Sequence, residues 1–297
     1  MTIAAINASN WVSEETGSKV LTTVTENSAA ENYARRENMD SDALRVPRMS
    51  DVDVTVIPMS GAYPEDSANL DTVLLEAVKF GGRVLVPYEQ LDDSNIGIVT
   101  ELQSSWARSY ARKLDNAVFG TTAAGNLTTV PFNSVYREVS QNAATHRVQT
   151  VGAVTYDHVS SVLGKYENGG YFSDPDTIVV AHVSLKEALR GLKDTTGRPL
   201  FIDAIPDTQP STLFGYPIQF SAGAKTSATN VVNPTGNPLL VVGNKNHLIL
   251  GVRSGPESIL STEAGFGTDE IHLKMRSRRA FAVGRATAFG VLEVTSA

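Results

Sequence analysis

One stretch restricts the possible folds more than any other: "DDSNIGIVTELQSSWARSYARKLDNAVFG", residues 92–120. Ile96, Val99, Leu102, Trp106, Tyr110, Leu114 and Ala117 recur at steps of three and four, which places them on one stripe of an α-helix. Asp92, Asp93 and Ser94 offer caps and negative charge at its start, and Gly120 offers a stop. The spacing predicts a helix over 92–119, roughly 36 Å long at 1.5 Å per residue. An element of that length is a strut around which a core is arranged, and it is long for a catalytic helix.

The chain before this helix has little with which to build a core of its own. Residues 1–49 are polar and weakly patterned; "SAAENYARREN" (28–38) predicts a short helix, with Ser28 as N-cap and Glu31 completing a capping box. The rest of that segment reads as an arm, ordered only where it lies on something. "DVDVTVI" (51–57) alternates strictly, so Val52, Val54 and Val56 share one face of a strand. Two prolines and a glycine in 58–71 mark a loop tip, and 72–87 returns as a second strand with Gly81–Gly82 as a bulge or bend. A two-stranded ribbon is marginal alone in water, so this hairpin needs another element or another molecule.

Beyond the long helix, 121–147 reads as irregular. Helix 155–170, strand 177–181, a helix capped near Ser184, strand-like 212–221 and two strands around a turn in 237–252 then alternate as in one compact α/β or α+β unit. Residues 271–294 alternate in two runs, as strands that return to pair with earlier elements.

Charge is uneven along the chain. The net charge is −7, which argues against a dedicated nucleic-acid binder. Ser50–Asn95 holds nine acids against Lys79 and Arg83, whereas Ile271–Ala297 holds five bases against Glu293. Two solvated faces would account for this; so would the acidic segment of one copy resting on the basic segment of another. There is no cysteine, which removes disulfides and thiolate chemistry and suits a reducing cytoplasm. No signal peptide and no run of ~18 apolar residues appears, so the expectation is a soluble, cytosolic protein with no membrane contact.

Catalytic motifs are missing. His146, His158, His182, His247 and His272 lie far apart, with no HExxH spacing. Asp174 and Asp176 flank Pro175 as loop and cap residues, and "AGFGTDE" (264–270) is glycine-rich without a strand before it and a helix after it. "LKDTTGRPLF" (192–201) puts a lysine, a glycine and an arginine close together. A phosphate loop needs its glycines first and a helix directly after the lysine. Here the helix comes first and a strand follows, so Gly197 reads as the left-handed residue of a turn. No catalytic residue, cofactor or metal site is expected.

The order of "LKDTTGRPLF", "STLFGYPIQFS", "VVGNKNHLILGVR" and "FGTDEIHLKMRSRRAFAVGRATAFGVLEV" resembles the C-terminal half of tailed-phage major capsid proteins of the Hong Kong 97-type fold. The N-terminal half is similar too: a polar arm, a long hairpin, "VPYEQLDDSN", and a long helix closing on "LDNAVFG". The likeness spans roughly 45–297. It departs at Asn244, where an acidic residue is common, and in an arm too short for the cleaved scaffolding domain of some relatives.

This resemblance implies an α+β subunit with an N-terminal arm (1–49), an extended β-hairpin loop (50–90), a peripheral domain (91–145 and 266–297) built on spine helix 92–119, and a mixed α/β axial domain (146–265). It implies a homo-oligomer of hexamers and pentamers closing into an icosahedral shell around double-stranded DNA, contacted non-specifically. A separate scaffolding protein and a portal are implied partners, with room for a decoration protein. The virion is the implied location, assembled in the bacterial host cytoplasm. Arm and hairpin lie on neighbouring subunits in this family, which gives the charge asymmetry a use: Glu65, Asp66 and Asp71 of one copy would meet Lys274, Arg276, Arg278 and Arg279 of the next. Some relatives weld subunits through a loop lysine and a C-terminal asparagine. Here Lys79 is the loop's one lysine and Asn246 the last asparagine, so no such crosslink is expected. An encapsulin-type shell around enzyme cargo is the alternative of the same fold, and an α/β enzyme the alternative of another class.

Overall fold

The computed structural model describes residues 28–49, 54–63, 65, 70–92, 97–193, 201–202, 211–265 and 267–295. Residues 1–27 of the expected arm, Val52, Asp66, the caps Asp93 and Ser94, Ile96 and the 194–200 turn lie outside them.

The long helix forms, starting later than its apolar spacing predicts. A single turn, α2 (Tyr88–Asp92), precedes it; α3 runs Ile98–Asp115 from Gly97, with no side-chain cap. Five π-helical residues, Asn116–Gly120, complete the element. Burial deepens along it: Tyr110, Leu114, Ala117, Val118 and Phe119 are buried, whereas Trp106 is half-buried and stacks on Tyr110 with ring centroids 5.1 Å apart. The π turn is locked from outside. Asn116 donates from Nδ2 to the carbonyls of Gly223 (3.1 Å) and Lys225 (2.9 Å), and a Cβ at Gly120 would lie 2.0 Å from the Lys225 carbonyl oxygen. Single π turns inside helices are rare and need such outside support.

Two of the structure's sheets are large. One has seven strands in the order β5-β13-β10-β6-β9-β8-β7, with β5 Arg147–Val151, β6 Thr177–His182, β7 Phe201–Ile202, β8 Thr212–Leu213, β9 Tyr216–Ser221, β10 Leu239–Asn244 and β13 Phe289–Thr295. Alternate residues face opposite sides. Ile178, Val180, Leu239, Val241 and Val291 join the spine helix and α4 (Val135–Asn142) in one core. Val179, Leu240, Val242 and Leu292 join a second core under α5 (Tyr156–Glu167) and α6 (Leu185–Gly191). Both faces are covered from within the chain.

The other large sheet has the order β1-β11-β12-β4, with β1 Arg35–Asn38, β4 Val78–Pro87, β11 Leu248–Gly265 and β12 Glu270–Val283. Its inner residues, among them Phe80, Leu250 and Phe281, pack on the spine. A two-stranded ribbon, β2 (Ala43–Met49) with β3 (Leu70–Glu76), springs from its edge.

Several expectations are corrected. Residues 54–57 are not in a strand, and Val54 and Val56 are exposed. Alternation without a partner strand fails to hold an extended segment, and the outgoing leg of the ribbon is β2. Gly81–Gly82 makes no bulge, since β4 pairs with β12 in unbroken register; the glycine is needed because a Cβ at Gly81 would come within 2.8 Å of the Met275 carbonyl oxygen. The helix at 28–38 is only α1 (Ala29–Tyr33), after which β1 pairs parallel to β11. That pairing satisfies backbone groups which an edge strand would leave open, and Ser28, Ala29, Ala30 and Ala34 are buried, so residues 28–38 are ordered by lying on their own subunit. The 121–147 stretch contains α4 and the start of β5. The strands around 244–248 do not pair with each other: β10 joins the seven-stranded sheet and β11 the four-stranded one. The expected division at 265/266 therefore runs through the paired strands β11 and β12, and β13 sits inside the sheet of the 146–265 region.

Candidate subunit interface

The period of a strand sorts the expected basic strip into two groups. Along β12, Ile271, Leu273, Met275, Ser277 and Arg279 are buried, and Lys274, Arg276 and Arg278 point the other way. Adjacent residues on a strand cannot share a face, so Arg278 and Arg279 have different work. Arg279 is buried. It donates from Nε to Glu31 (2.9 Å) and from an Nη to the Ser254 carbonyl (2.6 Å), while Tyr110 donates its hydroxyl to the same Glu31 oxygen (3.1 Å). Burial pushes the Tyr110 phenol up to about 12, so it remains a donor. Arg279 is thus removed from the expected outward strip: it fastens α1 to β12.

Arg276 and Arg278 stay on the open face, each with one partner from its own chain: Glu257 at 2.9 Å and Asp42 at 2.8 Å. Asp42 is mostly exposed, and Arg253 approaches it too, at 3.8 Å. Lys274 is exposed and makes no ion pair among the described residues. An open cavity of about 540 Å³ is lined by Ala77, Lys79, Arg253, Ser254, Arg276 and Arg278.

Of the hairpin acids, Asp71 pairs across the ribbon with Arg48, whose hydrogen bond together with the Thr72 amide holds the carboxyl below its ordinary range. Glu65 is exposed near the tip, together with Val54, Val56, Met59 and Tyr63, and none of these is buried against another described residue. Asp66 lies outside the described residues. Large apolar side chains held out in this way mark a surface that expects a partner.

Two buried carboxylates, which sequence patterns alone do not reveal, fix the frame behind these surfaces. Asp115, on the spine, accepts from Ser28 Oγ (2.6 Å), the Ala29 and Ala30 amides (3.0 Å each) and Ser221 Oγ (2.6 Å). Complete burial raises its pKa against the pull of those donors. Glu293, on β13, accepts from Tyr136, Arg147, Gln149 and Asn237. Burial alone would raise its pKa, but these hydrogen bonds hold it below the ordinary value.

No group of three or more His, Asp or Glu fit to hold a metal occurs among the described residues. Four of the histidines are separately engaged: His146 with the Phe289 carbonyl, His158 with Thr155, His182 with Ser184 and His247 against the ring of Tyr171. Asp176 pairs with Lys245, and of the glycine-rich 264–270 segment residues 264–265 end β11, 267–269 form a turn and Glu270 starts β12. No helix among the described residues is long and apolar enough to cross a membrane.

The model of the phage capsid family matches residues 8–294. Among solved structures, one from Microbacterium phage Oxtober96 is 19% identical with a TM-score of 0.71, covering 98% of each chain. One from Mycobacterium phage Adephagia is 16% identical with a TM-score of 0.73, covering 100% of this chain and 99% of that one. A structure titled "Capsid of empty GTA particle computed with C5 symmetry" is 15% identical with a TM-score of 0.66, covering 97% of each. No curated protein matches.

Proposed function

The chain belongs to the phage capsid family, and from that we infer that it is a major capsid protein, many copies of which self-assemble into an icosahedral shell. The observation that carries this reading is the family match across nearly the whole chain. Its work is structural, and it is a component of the virion. Hexamers and pentamers are the units we expect, assembled in the host cytoplasm with a scaffolding protein and a portal, around double-stranded DNA that the wall touches without sequence preference. Nothing among the described residues favours the enzyme-cargo alternative.

Between subunits, the tip of the hairpin is proposed to rest on a neighbour. Glu65 and Asp66 would face Lys274, Arg276 and Arg278, while Asp71 and Arg279 hold their own subunit together. One exposed pair contributes only ~0.2–1 kcal/mol, but a closed shell repeats the contact in every subunit. Weak pairs of this kind permit errors of assembly to be corrected. Purified protein examined by electron microscopy, with the Lys274→Glu/Arg278→Glu double variant beside it, tests both levels. Shells from the parent and few from the variant, with a shifted salt optimum, are expected. Equal yields would remove the contact, and absence of particles from the parent in any salt, together with a compact monomer in solution scattering, would remove the shell. We also expect the subunits to run singly on a denaturing gel, without a Lys79-to-asparagine crosslink.

A further inference from the structure

We propose that Arg48 and Arg285 form a latch that holds the β2–β3 ribbon against its own subunit. Opening the latch lets the ribbon swing while the subunit stays folded. The inference concerns the single subunit and does not depend on the shell reading.

The ribbon is fastened differently at its two ends. At its base the fastening is apolar: Leu75 is fully buried and packs with Met39 on Ile249 and Ala280. At its far end, where Met49 pairs with Leu70 and Arg48 with Asp71, the fastening consists of hydrogen bonds. Arg48 donates from Nη1 to the Gly284 carbonyl (2.7 Å), and Arg285 donates from Nη2 to the Met49 carbonyl (2.9 Å). Each side thus supplies one guanidinium and one main-chain carbonyl, at adjacent residues. Both arginines are held in aim. Arg48 also donates from Nε to Asp71 (2.8 Å), and Arg285 lies over the Tyr171 ring, 5.8 Å from its centroid. Gly284 is fixed in turn: its amide donates to the His247 carbonyl (2.8 Å), and a Cβ there would lie 2.9 Å from His247 Nδ1.

Between the two fastenings the ribbon does not seat closely. An open cavity of about 420 Å³ is lined by Thr72, Val73 and Glu76 of the ribbon, Phe281 and Val283 of β12, and Asn126. Close packing is what resists small displacements, and a hollow of this size leaves the ribbon room to tilt about Leu75. The four steps from Leu75 to Asp71 make a lever of roughly 13 Å at ~3.3 Å each. The latch is the end that can open. Met49 is exposed and Arg48 half-buried, so water can replace each bond there. Drawing out Leu75 would instead expose a fully buried side chain. Gly284 and Arg285 belong to the link between β12 and β13, which carries the chain from one large sheet to the other. The latch therefore ties the ribbon's direction to the joint between the sheets.

The test exploits a chain without cysteine, in which spin labels attach only where a cysteine is introduced. Leu70→Cys and Asn142→Cys, both at exposed positions, put one nitroxide at the latched end of the ribbon and one on α4. Double electron–electron resonance on unassembled full-length subunits reads the distribution of distances between them. We expect a single narrow distribution with the latch intact, and one at least two-fold wider once Arg48→Ala and Arg285→Ala are added. Arg45→Ala, at an exposed position on the same strand, should leave it narrow. If the double variant does not fold, Arg285→Lys takes its place, with an intermediate width expected. Widths unchanged by these substitutions overturn the proposal, as do a wide distribution with the latch intact and equal broadening by Arg45→Ala. Broadening accompanied by loss of the near-ultraviolet circular dichroism of the folded subunit overturns it too, because the ribbon would then not move separately from the fold.

Discussion

The two large sheets divide the molecule into a part that is finished within one chain and a part that is not. The seven-stranded sheet has helices or the spine against both faces, and its central strands read as nearly unbroken apolar runs: "TIVVAH", "LLVVGN", "FGVLEV". Strands buried on both sides have this composition because neither face meets water. The four-stranded sheet packs one face on the spine; its other face is covered at one end, where Met39 and Leu75 pack on Ile249 and Ala280, and is open along Lys274–Arg278. Its strand β12 reads "EIHLKMRSRRAFAV": Ile271, Leu273, Met275, Ser277 and Arg279 are buried, and Lys274, Arg276 and Arg278 between them are basic. The difference teaches where to look for assembly: a face with a partner in its own chain is apolar, and a face that waits for one carries charge.

The comparison is easiest to break at the finished sheet. Leu240 is fully buried, and Leu240→Ala should cost ~2–5 kcal/mol. A urea titration of the dissociated subunit reads this as a lower midpoint, and shell formation should fall with it. Next is the contrast between adjacent arginines. Arg279→Ala removes a buried guanidinium and its bonds to Glu31, which keeps Arg36 and Tyr110, and should cost ~1.5–3 kcal/mol. Arg278→Ala loses an exposed pair and should change subunit stability by no more than ~1 kcal/mol, its effect appearing in shell yield. Equal stability losses in the two variants would contradict the division of β12 into two faces.

The two buried carboxylates sharpen the comparison through pH. Glu293 has a depressed folded pKa, so its stabilisation is full above the ordinary glutamate value and is lost as pH falls to the depressed one. Asp115 has a raised folded pKa: between the ordinary and raised values the folded state binds a proton that the unfolded state lacks, so its contribution improves as pH falls. Unfolding midpoints measured against pH should therefore show Glu293→Gln reducing acid sensitivity and Asp115→Asn increasing it. Opposite signs are the expected result; parallel curves would mean that one of the hydrogen-bond networks is misassigned. The smallest effect belongs to the unfinished face. Lys79 lies directly opposite Arg278, and like charges so placed are destabilising. Lys79→Gln should leave the subunit as stable or more stable by ~0.2–1 kcal/mol, with weaker dependence on salt, and a clear loss of stability would show that the Lys79–Arg278 juxtaposition is not repulsive.

Much of this was legible from residues. The spine stripe from Val99 to Ala117, the helix at Thr155 and the strand at Thr177 follow local rules, because their burial is set by one period. Other features depend on distant partners. Val54 and Val56 alternate as a strand does, yet no described residue pairs with them; Arg35–Asn38 lacks strand character, yet the edge of β11 recruits it. Asp115 reads as a helix-end acid until Ser28 and Ser221 are seen to converge on it. The basic strip was half legible: charge counting found it, but only the two-residue period separates Arg278 from Arg279, and only the β4 register sets Lys79 and Arg83 opposite Arg278 and Lys274.

The most direct test of the central claim is cryo-electron microscopy of the purified full-length protein, with solution scattering on the same sample. The account predicts closed icosahedral shells in which a neighbour's hairpin lies over the β4–β12 face. An absence of particles in every salt condition, together with a compact monomer whose radius of gyration is about 19 Å, would contradict it.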